Sequence, residues 1–205
     1  VTIIGGGACG CDNIAIGKNA LLAVTQGANN IAMGLTAADA LLTGTDNIAI
    51  GRLAFSASTN GADNVAIGRS ALAVSGNDGN YNVAIGTDAL GAGDVSGVSN
   101  VAIGQATMDA LTTGICNVAI GRNALGAATT GCQNIAIGDT ALGVGVVGGS
   151  SGQGSNNVAL GRSAMTALTT GCGNVGIGQT SINALTTGKH NVAIGSTTFG
   201  SSTTG

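Results

Sequence analysis

The chain has 205 residues, of which 38 are Gly, none is Pro and three are aromatic (Phe55, Tyr81 and Phe199). Charged residues make up only 7% of it and its mean hydropathy is positive, which argues against a disordered chain. Six basic residues and a net charge of −3 argue against a nucleic-acid-binding protein. All nine acidic residues are Asp and there is one His, so few of the side chains that usually act in acid–base catalysis are present, which argues against an enzyme. No apolar run of about 20 residues predicts a transmembrane helix, and no signal peptide is visible.

The first twelve residues, 1–12, are predicted to form a degenerate entry half-repeat, which begins with the apolar run Val1 to Ile4 followed by Gly5. Within them, Gly5 to Gly10 matches the G-x-G-x-x-G pattern of phosphate-binding turns. A dinucleotide-binding fold would continue with a helix, but a repeat begins at Asn13 instead. We therefore expect no cofactor.

Residues 13–205 are a repeat array with eleven copies, each opened by an Asn that we number position 0. Position +1 is always Val or Ile, position +2 is Ala in ten copies, and position +4 is always Gly. Position +7 is always small, position +8 is a large apolar residue in ten copies, and a Gly stands at position −3 in all. The copies are 17 or 18 residues apart, with one spacing of 23. They start at Asn13, Asn30, Asn47, Asn64, Asn82, Asn100, Asn117, Asn134, Asn157, Asn174 and Asn191.

Each copy predicts one coil of a parallel β-solenoid. The segment N-[VI]-A-I-G reads as a short strand with alternating faces, ended by a Gly that favours a turn. All length changes fall between position +8 and the next Asn, which predicts a tolerant outward corner there. About 17 residues are too few for a helical repeat, which needs about 33 or more. The predicted fold is all-β, with eleven stacked coils that rise on the order of 50 Å.

The same alternation predicts where the side chains go. We expect positions +1, +3 and +8 to fill the interior and the Asn side chains to form a hydrogen-bonded ladder from coil to coil. The Ala at position +2 then lies on the opposite face, as a flat apolar stripe along the coils. Because such stripes mark interfaces, we expect this one to be buried between subunits; the alternative is a second inner layer within one chain.

The N-V-A-I-G-x-x-A core of these copies resembles the head repeats of trimeric autotransporter adhesins, the YadA-like heads. The longer form, N-N-V-A-I-G-x-x-A-L-x-x-L-T-T-G, is similar to repeats of phage tail fibre proteins. The resemblance extends from Asn13 to Gly205. It implies a left-handed β-roll, a homotrimer, and an extracellular location on a bacterial surface or a virion.

Charged residues concentrate at two positions of the repeat. Asp12, Asp46 and Asp63 share position −1. A basic row at position +5 could grip an anionic glycan or lipopolysaccharide; as an alternative it is a solvated row that keeps fibres apart. This row consists of Lys18, Arg52, Arg69, Arg122 and Arg162.

The five cysteines precede position 0, and their spacing leaves three states open: small buried thiols, interchain bonds, or an intrachain bond between neighbouring coils. A metal site at the first two would lack partner ligands. The cysteines are Cys9, Cys11, Cys116, Cys132 and Cys172.

Two further motifs are only weak indications of a function. Gly148 to Gly152 matches the G-x-S-x-G form of a nucleophile elbow, but it lies in a Gly/Ser loop two coils from His190. Thr pairs such as Thr112 and Thr113 recur at the corner, yet too few coils carry them for an ice-binding face.

The sequence predicts a structural and adhesive module of an extracellular fibre, either a phage tail fibre or a bacterial adhesin head, that attaches to a host surface by multivalency. The alternative is a self-assembling extracellular filament without a receptor. The predicted partners are further copies of the chain, with a cell-surface glycan or lipopolysaccharide as a second candidate. We expect no enzymatic activity, no cofactor or metal, no nucleic-acid binding and no membrane insertion, and a continuation into a longer fibre chain.

Overall fold

The computed structural model describes residues 2–4, 10–74, 79–93, 95–144, 148 and 153–200. These residues form a single sheet of twelve strands in chain order, and no helix is found among them. The strands are β1 (Thr2–Ile4), β2 (Asn13–Ile16), β3 (Ile31–Met33), β4 (Ile48–Ile50), β5 (Val65–Ile67), β6 (Val83–Ile85), β7 (Val101–Ile103), β8 (Val118–Ile120), β9 (Ile135–Ile137), β10 (Val158–Leu160), β11 (Val175–Ile177) and β12 (Val192–Ile194).

The strands β2 to β12 stack in parallel, each one coil above the last, so the predicted β-solenoid is confirmed. Equivalent positions face each other, as in the pairs Val65 with Val83 and Ala66 with Ala84. The register holds across the longest connection too, where Ala136 pairs with Ala159. The entry strand β1 differs, since it runs antiparallel to β2 with Ile3 opposite Ile14.

The expected orientation of the strand side chains is wrong. The Ala at position +2 faces the interior of its own chain, and Ala66, Ala102 and Ala136 are fully buried. Positions +1 and +3 point outward instead and are partly exposed in every coil; Ile137, for example, is 39% exposed. The stripe that we expected between subunits is therefore the inner layer of a single chain.

The reason for this orientation is the narrow cross-section of a 17-residue coil. The strand faces the side chain at position +8, and Leu72, Leu90 and Leu125 at that position are fully buried. Opposite so large a group, only a small side chain fits on the strand. The one Gly at position +2 supports this view, because a Cβ on Gly176 would lie 3.1 Å from Cε of Met165.

The interior has a further layer that the sequence did not predict. Position +11 provides buried apolar side chains in several coils, among them Leu41, Leu111 and Leu168. Together with the small residue at +7, the large one at +8 and the Ala at +2, these form one continuous apolar core along the rod.

Each coil closes through backbone conformations that are rare for L-residues. Positions −1, +6 and +8 have positive φ in the described coils, including Leu125 at 53° and the β-branched Ile182 at 52°. Such φ values cost on the order of 1–2 kcal/mol per residue, so contacts with the adjacent coils must stabilise these conformations. Position +4 requires Gly for a second reason as well: a Cβ on Gly68, where φ is 134°, would lie 2.5 Å from the carbonyl oxygen of Gly86.

Candidate functional site

The Asn residues at position 0 form a buried ladder along the inside of the rod. Asn117 shows the pattern: its Nδ2 donates to Oδ1 of Asn100 at 3.0 Å and to the carbonyl oxygen of Gly131 at 2.8 Å. Its own Oδ1 accepts from the backbone N–H of Asn134 at 2.9 Å and from Nδ2 of Asn134 at 3.1 Å. Every amide atom of this side chain is therefore satisfied inside the protein.

The ladder extends from Asn13 to Asn191. A backbone N–H of each later Asn donates to Oδ1 of the Asn before it, in ten successive steps. At position −3, the Gly of the following coil supplies the carbonyl acceptor for Nδ2. A buried amide that loses its hydrogen-bond partners is costly in free energy, so a shift of one coil along the next is disfavoured. The ladder therefore fixes the register between neighbouring coils.

The basic residues at position +5 lie on the surface, immediately after the strand and its Gly. All five cationic side chains are exposed. They do not form an unbroken row, because the same position is uncharged or acidic in the other coils. Those intervening residues are Leu35, Thr87, Gln105, Asp139, Gln179 and Ser196.

Two of these cations are engaged by carboxylates of the next coil. Arg122 donates two 3.0 Å hydrogen bonds to the two carboxylate oxygens of Asp139. Arg69 contacts Asp88 at 3.4 Å. These are the ion pairs within the described part of the chain, and both are largely exposed, so each contributes about 0–1 kcal/mol. The other three cations at position +5, Lys18, Arg52 and Arg162, form no ion pair with a described residue of the chain.

The acidic residues at position −1 lie on the other side of the strand. Asp12, Asp46 and Asp63 are exposed, and all three have a positive φ near 58°. This conformation suits Asp and Asn better than most residues, which gives the position a structural role beside its charge.

One further acidic residue, Asp109, lies near Asp88, the carboxylate that Arg69 contacts. Burial raises the pKa of Asp109, and the nearby carboxylate of Asp88 raises it further. The backbone N–H groups of Ala92 and Gly91 act in the opposite direction, with a smaller combined effect. Asp109 is thus a carboxyl group whose charged form is disfavoured by its surroundings.

Between the two charged positions runs the exposed apolar strip formed by positions +1 and +3 of β2 to β12. It holds only Val, Ile, Leu and Met side chains, and no charged residue lies in these strands. Exposed members include Ile14 at 39% and Ile135 at 37%. Sequence reasoning missed this surface because it placed these side chains inside. The signal was available, since Asn at 0 and Ala at +2 must share a face.

The cysteines in the described residues are free thiols. Cys116 is exposed and is therefore not a small buried thiol, one of the three states that the sequence left open, while Cys11, Cys132 and Cys172 are half-buried. The intrachain bond between neighbouring coils is absent from these four. The backbone N–H of Cys132 instead donates to Oγ of Ser155 in the next coil, at 3.0 Å. Cys9 lies outside the described residues.

The corner Thr residues act within the solenoid. The hydroxyl of Thr112 donates to the carbonyl oxygen of Thr129 at 3.0 Å, and that of Thr169 donates to the carbonyl of Thr186 at 3.0 Å. These bonds connect adjacent coils at the outer corner. Most of the two Gly-rich motifs lies outside the described part of the chain, namely residues 5–9 of the first motif and residues 149–152 of the second.

In the described ranges, no three His, Cys or Asp side chains come together as a metal site would need. The described part of the chain also has no helix of the length and hydrophobicity that crossing a bilayer requires. Comparison with protein-family models, with curated proteins and with solved structures finds no match to this chain.

Proposed function

We propose that this chain is a stiff structural and adhesive module of an extracellular fibre, either a phage tail fibre or a bacterial surface adhesin head. In this proposal the coils form a left-handed roll and the chains a homotrimer, and the fibre takes part in multivalent attachment to a host surface. The observation that carries the proposal is the unbroken stack of parallel coils, held in register by the buried Asn ladder.

Stiffness follows from the way the coils are connected. Each coil is joined to the next by strand hydrogen bonds, by the ladder amides and by the close approach of backbone at the Gly positions. To bend the rod, all three sets of contacts have to open on one side. Such a rod suits a part that spaces or presents other parts, and its coils repeat any weak binding group along their length.

The adhesive part of the proposal can be tested with beads that carry the 205-residue protein and are offered to bacterial cells and to purified lipopolysaccharide. We expect the beads to retain one of these, and the variant Lys18→Ser/Arg52→Ser/Arg162→Ser to lose about tenfold in affinity, that is about 1.4 kcal/mol. The matched control is Arg122→Ser, because Arg122 is already engaged by Asp139.

A specific observation favours the second candidate, a structural filament without a receptor. Two of the five cations at position +5 are neutralised within the chain, and the others are separated by uncharged coils or by Asp139. If the beads retain no cell or glycan while electron micrographs show the protein as long rods, the filament function replaces the adhesive one. Retention that all variants share equally would place the binding group elsewhere on the rod.

A further inference from the structure

Asn60 and Gly61 form the only Asn-Gly dipeptide of the chain, and they lie in the corner that precedes Asn64. The fold requires the glycine. Its carbonyl oxygen accepts a 2.7 Å hydrogen bond from Nδ2 of the ladder residue Asn47, and a Cβ on it would lie 2.7 Å from Oγ of Ser58. The residue before the glycine varies, and most other coils have Gln, Ser or Thr there. An Asn at this place meets a backbone nitrogen that no side chain shields.

The side-chain amide of Asn60 is polarised by the preceding coil. Asn60 is exposed, and its Oδ1 accepts a 2.7 Å hydrogen bond from the hydroxyl of Thr43, the residue at the equivalent position of that coil. A donor at this oxygen draws electron density from the carbonyl carbon Cγ. It also stabilises the negative charge that develops on Oδ1 when a nucleophile adds to that carbon.

The backbone N–H of Gly61 is oriented by the same corner. It donates to Oγ of Ser58 at 3.1 Å, and Ser58 is fully buried. The acceptor gives this N–H a fixed direction and stabilises the positive charge that the nitrogen gains as it forms a new bond. Attack of the nitrogen on Cγ of Asn60 closes a small ring within adjacent residues, so the two reacting groups are never separated by diffusion.

We propose that Asn60 is a site of self-catalysed deamidation, in which Gly61 provides the nucleophile and Thr43 stabilises the reacting carbonyl oxygen. The Gly61 nitrogen bonds to Cγ of Asn60, the bond from Cγ to Nδ2 breaks, and ammonia leaves with the proton that the nitrogen gives up. Water then opens the cyclic imide at either carbonyl and leaves aspartate or isoaspartate. Water is the only co-reactant. The reaction needs neither a second copy of the chain nor a host surface, so its test is independent of the fibre role.

The isoaspartate product changes the corner more than the added charge does. It routes the backbone through the former side chain and adds a methylene carbon ahead of Gly61, whose carbonyl is an acceptor of the ladder. The following residue is held as well, because the backbone N–H of Ala62 donates to Oδ1 of Asn80 at 2.7 Å. We expect the isoaspartate form to unfold at a lower urea concentration than Asn60→Asp, which carries the same charge on an ordinary backbone.

The test follows conversion of the folded protein in neutral buffer by peptide mass spectrometry. Cleavage after Arg52 and Arg69 releases residues 53–69, which contain both Asn60 and the buried ladder residue Asn64. We expect the mass gain of an amide-to-acid conversion at Asn60, with Asn64 unchanged as the internal reference.

Thr43→Val removes the donor to Oδ1 and should slow the conversion about tenfold, less than the loss of a donor from a buried oxyanion hole, because this bond is exposed. Thr113→Val alters an exposed Thr at the equivalent corner position of another coil and should leave the rate at Asn60 unchanged. In urea-unfolded chains, the wild type and Thr43→Val should convert at the same rate, since Thr43 is then no longer held against Asn60.

A folded wild type that keeps the Asn60 amide while the unfolded chain converts would overturn the proposed site. A folded Thr43→Val protein that converts as fast as the wild type, or faster, would overturn the catalytic role of the hydroxyl, since the hydrogen bond would then protect the amide. Equal stability of the isoaspartate form and Asn60→Asp would overturn the predicted effect on the ladder. Retention on beads and the appearance of rods in micrographs enter none of these measurements.

Discussion

At the scale of single residues, the buried amide at position 0 contributes most to specificity. An Asn has two donors and an acceptor oxygen, and in Asn117 all of them are satisfied by two adjacent coils and one backbone carbonyl. A residue of similar size without both donor and acceptor, such as Leu or Asp, would leave buried groups without partners. This explains why position 0 is Asn in all eleven copies while neighbouring positions vary.

Replacing Asn117 with Ala should lower the free energy of unfolding by about 3 kcal/mol or more. The change removes the acceptor of the Asn134 N–H and a donor to the Gly131 carbonyl, and each buried orphan group costs about 1–3 kcal/mol. Urea unfolding followed by circular dichroism measures the difference. Gln133→Ala, at the exposed neighbouring position, should stay within about 0.5 kcal/mol; equal losses in the two variants would argue against the ladder.

At the scale of the coil, the strand and the corner differ in what they tolerate. The strand has a fixed length because its alternation places Ala inside and Val or Ile outside, and one added residue exchanges the faces. The corner between position +8 and the next Asn already varies, since the step from Asn134 to Asn157 has six residues more than the usual one. Strand pairing stays in register across that step.

Insertion of Gly-Ser after Thr113, at a corner, should therefore change stability by less than about 1 kcal/mol, because a longer loop adds little closure entropy. Insertion of a single Ala after Ala119, within β8, should abolish cooperative unfolding of the coils around it. Thermal melts of the two variants compare them directly. A strand insertion as stable as the corner insertion would refute the packing described for positions +1 to +3.

The sequence predicts the coil well and its interior less well. The Asn period, the strands that follow it and the tolerant corner can all be read from spacing, because each depends on local chain geometry. The choice of inner face cannot be read from hydrophobicity, since Ala66 and its neighbours Val65 and Ile67 are all apolar. It depends on the space opposite Leu72 inside a narrow coil, which is a property of the closed turn.

The backbone conformations were equally hidden. Positive φ at Leu125 and Ile182 contradicts the preference of those residues, and only the stacked coils above and below impose it. The same holds for the candidate site: the charged positions −1 and +5 were visible in the sequence, but the exposed strip between them appears only when the inner face is known.

At the scale of the whole molecule, the rod behaves as a one-dimensional array whose stability is approximately the sum of its coils and their contacts. Removing residues 101–117 joins Asn100 to Val118 and deletes one repeat while keeping the order of positions. We expect this variant to fold, with a denaturant slope lower by roughly a tenth, because that slope follows the surface exposed on unfolding. Guanidinium titration provides the slope, and a variant that fails to fold would contradict additive coils.

The pairing of each position with its own equivalent also has an evolutionary consequence. Since a coil makes the same contacts with whichever coil lies next to it, unequal recombination between repeats in the gene yields a longer or shorter chain that still closes. Selection can then adjust the reach of the protein without redesigning its interior. The corner that varies in length, as between Asn134 and Asn157, is the place where insertions can be accepted during evolution, because strand pairing continues in register across it.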